Sequence, residues 1–286
     1  MGVRRIAPAL GCLLVAAATG VRAGGPAFPP AAPAAVAWRE LKFAGHKAGI
    51  SAAIDLRLGH DPVRPADEIL VESTTHLPGR TFAARERLDS VGARAREIVD
   101  TETGARHHRK TYTLGERGFL LDLVEPASLP ELLLPPERWT KRSASFTAYP
   151  RALPAGATVT GPAGLLYAAS AAGLSAPGDS LTIHVLVQAH VERVTVWVEG
   201  AEPFELAFDE NTGGEVRAVR GQLTALRLVA RSQPVDSASA SAFRIFGLEG
   251  NVEILWDPGR RLPVEISGHV KLLGQVEVRL ASVTLR

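Results

Sequence analysis

The chain has 286 residues, of which 46% are hydrophobic and 22% charged, with a formal charge of +2. That composition excludes a disordered polymer and fits one large β domain or two small ones. Loss of residues 1–23 as a leader takes the formal charge to −1, which excludes a chain-wide electrostatic footprint for nucleic acid. Those residues carry the marks of a cleaved secretory signal: Arg4 and Arg5, an apolar stretch over residues 6–18, and Val21-Arg22-Ala23 at a cleavage site. The single cysteine, Cys12, leaves with the segment, so no disulfide is expected in the remaining chain. Cys12 lies in only a loose lipobox, which argues against a lipid anchor. Residues 24–37 hold four prolines and no charge, and read as an extended tether. No later apolar run approaches the roughly eighteen residues of a membrane span, so none is expected.

From residue 38 the chain reads as short strands. Residues 37–43 begin the pattern, with a turn at His46 to Gly49. Ile50, Ala52, Ile54, Leu56 and Leu58 then alternate with polar or small residues, which predicts a half-buried strand ended by His60-Asp61-Pro62. Residues 69–75 predict another, closed by Pro78-Gly79. Residues 82–88 fit a helical turn or a strand equally. Residues 94–101 and 106–114 predict a hairpin around Glu102-Thr103-Gly104, and residues 119–124 an apolar strand. Residues 125–164 contain seven prolines and predict a surface connection without regular structure. A soft boundary near residue 150 divides a half at 38–150 from a half at 151–286, unless 38–286 is one continuous domain.

Beyond that boundary Pro162 stands at the start of an alanine-rich stretch that ends at Gly173, which predicts a helix over residues 162–172. Strands are expected at 181–187, 194–198, 204–208, 215–218 and 222–230, with a loop at 209–214 and another over the small, polar residues 232–242. The chain ends in a meander. Val252, Ile254 and Trp256 alternate with polar neighbours, Asp257-Pro258-Gly259-Arg260 makes a turn, and Leu262, Val264 and Ile266 resume the alternation. The expected fold class is mainly β: antiparallel curved sheets or a partly closed barrel, with one short helix.

Candidate sites are sparse. Gly178-Asp179-Ser180-Leu181 spells a hydrolase signature, but it leads into a strand where that chemistry needs a strand-to-helix turn, so a simple turn is expected. Arg106, His107, His108, Arg109 and Lys110 form a basic strand open to an anionic headgroup or polymer. Neighbouring residues on a strand point to opposite faces, so the two imidazoles do not share a metal. His184 and His190, six residues apart, would lie roughly 20 Å apart on a straight strand. Asp55, Asp122, Glu253 and Asp257 are candidates for a glycosidase carboxylate pair, with nothing to single out two of them. Trp139, Trp197 and Trp256 read as core. No nucleotide-binding glycine motif and no metal-ligand spacing occurs, so neither cofactor nor metal is expected.

Several local patterns occur in a recognisable order: Leu41-Lys42-Phe43, Lys47-Ala48-Gly49, Gly164-Leu165-Leu166-Tyr167, Pro177-Gly178-Asp179 and Val219-Arg220-Gly221-Gln222-Leu223. The last segment is the most specific, with Leu255-Trp256-Asp257, then Arg260-Arg261-Leu262-Pro263-Val264, then Gly274 before a strand. Together they resemble the bacterial exported family called domain of unknown function 3108. The chain departs from the family pattern after Tyr167, where Ala168-Ala169-Ser170 stands in place of an arginine. The resemblance implies a β-rich protein of the Gram-negative periplasm without an assigned reaction, and it brings no catalytic residue. Gly49, Tyr167, Gly178, Trp256, Asp257, Arg260, Arg261 and Pro263 carry it, and a structural role is expected for them.

The resulting expectation is a non-enzymatic envelope protein that binds a lipid, a glycan or another envelope protein. A curved sheet offers a concave face suited to an apolar ligand. The alternatives are an assembly factor acting through protein contacts and, further off, an envelope hydrolase.

Overall fold

The computed structural model describes residues 36–47, 50–60, 68–90, 92–236, 243–270 and 273–286. The expected leader with Cys12, most of the tether, Gly49 and residues 237–242 lie outside the described residues.

The chain runs β1 (Trp38–Lys47), β2 (Ile50–Gly59), β3 (Glu68–Leu77), β4 (Arg80–Asp89), β5 (Ala95–Gly104), β6 (His108–Leu114), β7 (Gly118–Glu125), β8 (Lys141–Ala148), β9 (Val159–Thr160), α1 (Pro162–Ala172), β10 (Ser180–Val187), β11 (His190–Thr212), β12 (Glu215–Pro234), β13 (Arg244–Ile245), β14 (Leu248–Asp257), β15 (Leu262–Val270) and β16 (Gly274–Leu285). All these strands belong to one sheet. β8 to β1 lie in reverse chain order, each antiparallel to the next, and β1 pairs onward with β16. From there the order is β15, β14, β12, β11, β10 and β9, so the sheet crosses residue 150 without a break.

The ambiguous residues 82–88 are strand, within β4. Alternation decides this: Phe82, Ala84, Glu86 and Leu88 share one face, and β4 pairs with both β3 and β5. The proline-rich 125–164 stretch differs from the expected irregular connection. It holds two 3-10 turns, the edge strand β8 and the short β9. Its prolines fall at the turns, and β8 itself (Lys-Arg-Ser-Ala-Ser-Phe-Thr-Ala) contains none.

β11 and β12 also differ from expectation. In place of four short strands with a loop at 209–214 they form one long hairpin, turned at Gly213-Gly214. A bulge between Val198 and Gly200 shifts the pairing by one residue. Near the bulge β12 is buried on both faces, at Ala225, Leu226, Leu228, Val229 and Ala230, whereas further along only Val219 is buried and Leu223 partly so, which breaks the period-two pattern in the sequence. Beyond the bulge the hairpin reaches across the molecule. Asp209, Glu210 and Asn211 pair in parallel with Ser282, Val283 and Thr284 of β16. β16, β15, β14, β12 and β11 thus make a partial ring. Inside this arrangement the C-terminal meander is buried on both faces over Ile254 to Asp257 and Leu262 to Val264, beyond the single buried face that alternation predicts.

The curled sheet closes around α1, which packs against β10, β3 and β4. Pro162 starts the helix and Gly173 ends it in the left-handed conformation, φ 67°. Every residue from Ala163 to Ser170 is buried. A helix apolar all round is stable only when packed on all sides. Its polar atoms are satisfied from the sheet and from within the helix. Trp38 Nε1 donates to Ser170 Oγ at 3.0 Å, Ser170 Oγ donates to Leu166 O at 2.9 Å, and Tyr167 OH donates to Ser90 O at 3.1 Å.

The N-terminus of α1 has no side-chain cap of its own, because Gly161 stands at the N-cap position. Glu86 of β4 supplies the cap. Its carboxyl oxygens accept from Ala163 N at 2.8 Å and Gly164 N at 2.9 Å. The fit requires glycine: a methyl group at Gly164 would collide with Thr160 Oγ1, and one at Gly161 with the Glu86 carboxylate. Gly164→Ala is expected to cost about 1–3 kcal/mol in urea unfolding.

Glu86 also sets a pH dependence. Burial raises its carboxyl to about 8, against the pull of the amide hydrogen bonds, from an ordinary value of 4.5. The folded chain therefore keeps a proton that the unfolded chain releases near its ordinary value. This contribution to stability is full in acid and is lost as pH rises through about 8. Denaturant unfolding across that range is expected to show the decline, and Glu86→Gln, which does not titrate, to flatten it.

Candidate functional site

The segment from Leu255 to Val264 forms a clip. Asp257 closes β14, and its Oδ1 accepts from Gly259 N at 2.9 Å and Arg260 N at 3.0 Å, a turn bonded by its own side chain. Arg260 donates to Asp257 Oδ2 at 2.9 Å and to Glu210 Oε2 at 3.0 Å. Because Glu210 lies where β11 meets β16, Arg260 fastens the β14–β15 turn to the closing edge of the ring. Arg261 holds φ 53° at the turn, with its guanidinium beside Gly173 at the end of α1. Trp256 and Pro263 are buried next to the turn and pair across β14 and β15. Tyr167 is buried on α1. Gly178 holds φ 93° in the turn before β10, where Asp179 accepts from Ser175 N and Ala176 N, and Ser180 is the exposed first residue of the strand.

The basic segment divides between surfaces. Arg106 is exposed in the β5–β6 turn, and His107 meets the edge of Trp139 with ring centroids 6.1 Å apart. Arg109 pairs with Glu137 at 3.0 Å on the outer face. His108 and Lys110, of the opposite parity, turn to the inner face beside Glu102 and Asp100. Burial lowers the His108 imidazole, and Lys110 adds to the effect.

The four carboxylates considered from the sequence do not form a pair. Asp55 on β2 and Asp122 on β7 are five strand spacings apart, roughly 24 Å. Glu253 lies on β14, and Asp257 is committed to its turn. The carboxyl groups that burial makes weaker acids are different ones, Glu86, Asp100 and Glu265, the first two by the most. Burial lifts Asp100 to about 6, with Lys110 opposing. The signal that reveals the first two in sequence is parity: Glu86 shares a face with Phe82, Ala84 and Leu88, and Asp100 with Ile98. Trp139 and Trp256 are buried, and Trp197 lies beneath the Arg231 guanidinium, 4.5 Å from its ring centre. Among the described residues no three His, Cys, Asp or Glu side chains group as metal ligands, and no helix is long and apolar enough to cross a membrane.

A cleft of about 860 Å³ opens at one end of β4, β5 and β6, walled by residues 153–157. Arg94 holds that wall by donating to Gly156 O at 2.8 Å. Glu68, only 6% exposed, lies with Oε1 3.4 Å from Arg96 Nε. Arg87 pairs with Glu97 at 3.0 Å. Both Glu68 Oε2 and Arg87 Nε are buried without a hydrogen-bond partner in the protein. One is an acceptor and the other a donor, and both residues line this cleft. Tyr149, Leu153 and Pro154 add apolar surface, with the Tyr149 ring tilted against Phe119 at 6.2 Å. Sequence reading missed the cleft, since its residues come from three separate stretches of chain.

The clip and the cleft are separable by mutation. Arg260→Ala leaves two carboxylates without their cation and is expected to cost about 2–3 kcal/mol in urea unfolding. Asp257→Ala, which also removes the turn bonds, is expected to cost at least as much. Neither change reaches the cleft. No family model, no curated protein and no solved structure matches this chain.

Proposed function

We propose that the chain is an exported, non-enzymatic protein of the bacterial periplasm, as its resemblance to domain of unknown function 3108 implies. In this reading it binds a polyhydroxylated envelope ligand, a glycan segment, in the cleft at Glu68, Arg87 and Tyr149. The observation that carries the reading is the pair of unsatisfied buried atoms, an acceptor and a donor, in one open cleft. Buried polar groups are nearly always partnered, and a ligand that both donates and accepts would partner this pair. A sugar hydroxyl does both. Tyr149, Leu153 and Pro154 supply the apolar surface on which the C–H face of a sugar ring rests. A lipid is favoured less, because over β3, β4 and β10 the concave side of the sheet is taken by α1.

Native mass spectrometry and calorimetry with soluble envelope oligosaccharides test this. Wild type is expected to take up a defined fragment. Glu68→Ala is expected to weaken uptake roughly ten- to a hundredfold, the worth of one charged hydrogen bond. Tyr149→Ala is expected to weaken it as well. Failure of wild type to bind any fragment, or equal binding by both variants, would refute the assignment.

A further inference from the structure

The end of the sheet opposite the cleft carries a second feature. Between β7 and β8 the chain makes two 3-10 turns, Pro130–Leu133 and Pro136–Arg138. Leu129 is 80% exposed, Leu133 89% and Leu134 45%. The segment that displays them is firmly built. The Glu131 carboxylate accepts from Ala127 N, Thr140 N and Thr140 Oγ1 at 2.7–3.0 Å. Trp139, 2% exposed, donates from Nε1 to Glu131 O at 2.9 Å and to Leu134 O at 3.2 Å. These bonds tie the base of the loop to itself and hold the leucines outward. Large apolar side chains displayed on an ordered projection mark an interaction surface.

Charge indicates what the surface meets. Arg106, Arg138 and Arg142 surround the loop, all exposed, and none forms an ion pair among the described residues. The nearby carboxylates are engaged: Glu137 with Arg109, Glu125 with Lys141, and Glu131 within the loop. The tip is therefore apolar at its point and positive around it, on a chain close to neutral overall. A convex apolar point ringed by arginines matches an interface where leucines enter the acyl boundary and guanidinium groups meet phosphates.

We propose that the tip formed by Leu129, Leu133 and Leu134 with Arg106, Arg138 and Arg142 is a docking surface for an anionic lipid bilayer. The docked chain rests on the membrane with its cleft turned away. This surface and the cleft stand on separate observations, so either can fail without the other.

Vesicle flotation with the full chain provides the test, using phosphatidylcholine with and without phosphatidylglycerol. Every variant keeps residues 1–35, so any membrane affinity of that segment is common to all. Wild type is expected to float with the anionic vesicles and to be released by salt. Leu129→Ser with Leu133→Ser, and separately Arg106→Glu with Arg138→Glu and Arg142→Glu, are each expected to weaken partition roughly tenfold. Val216→Ser, on an apolar residue 64% exposed near the far hairpin turn, serves as the control and is expected to change nothing. Insertion is read directly from an environment-sensitive fluorophore at position 133, introduced as Leu133→Cys in a Cys12→Ser background, with a blue shift expected on the anionic vesicles. An unshifted fluorophore, or flotation equal in wild type and both tip variants, overturns the proposal. So does loss of a specific protein crosslink in the leucine variant with flotation unchanged, which assigns the tip to a protein groove.

Discussion

The fold depends on one buried contact, the carboxyl group of Glu86 against the first amides of α1. A helix wrapped by sheet has no water at its N-terminus, so its free N–H groups need acceptors from the protein. Glu86 supplies them from the neighbouring β4, and Gly161 and Gly164 leave the space. The contact joins residues 77 and 78 apart in the chain. It fixes where the helix sits along the sheet, and with it the packing of Trp38 on Ser170 and of Tyr167 on Ser90. The same burial that makes the contact dry also lifts the carboxyl far above its usual range.

Around that helix the sheet curls without closing completely. The long β11–β12 hairpin changes register at its bulge and swings its far end onto β16. Arg260 then links the β14–β15 turn to Glu210 on that far end. Trp256, Asp257, Arg260 and Pro263 lie here. Asp257 shapes a turn and Arg260 fastens it, while Trp256 and Pro263 fill the space beside them. Their spacing matters because turn, cation and acid must meet across three strands.

The two surfaces with unsatisfied chemistry sit at opposite ends of the same strands. β6 runs from His108 at the leucine tip to Leu114 at the cleft, seven residues or roughly 20 Å. At the cleft the unmet need is polar, a buried acceptor and donor. At the tip it is apolar, leucines held in solvent with arginines beside them. Such a separation suits a protein that rests on one surface and reaches for a ligand on the other side. A continuous sheet is a stiff spacer for that purpose.

Alternation along the chain was enough to establish the mainly β class, most strand positions, the 162–172 helix with its glycine end and the Asp257 turn. These follow from local chemistry: period two, proline at a helix start, glycine at a helix end, and an Asp bonding its own turn. The buried Glu86 was not among them, because residues 82–88 fit a helical turn or a strand equally until β3 and β5 were seen to flank them. The bulge in β11, the ring closure and the double burial of the C-terminal meander were decided by tertiary structure. So were the cleft, which draws Glu68, Arg87 and Tyr149 from distant stretches, and the tip, where a proline-rich connection meets a basic turn. A sequence records which face each side chain takes, because that depends on neighbours two residues away. It does not record which strands lie side by side, because that depends on how the whole sheet curls over its helix.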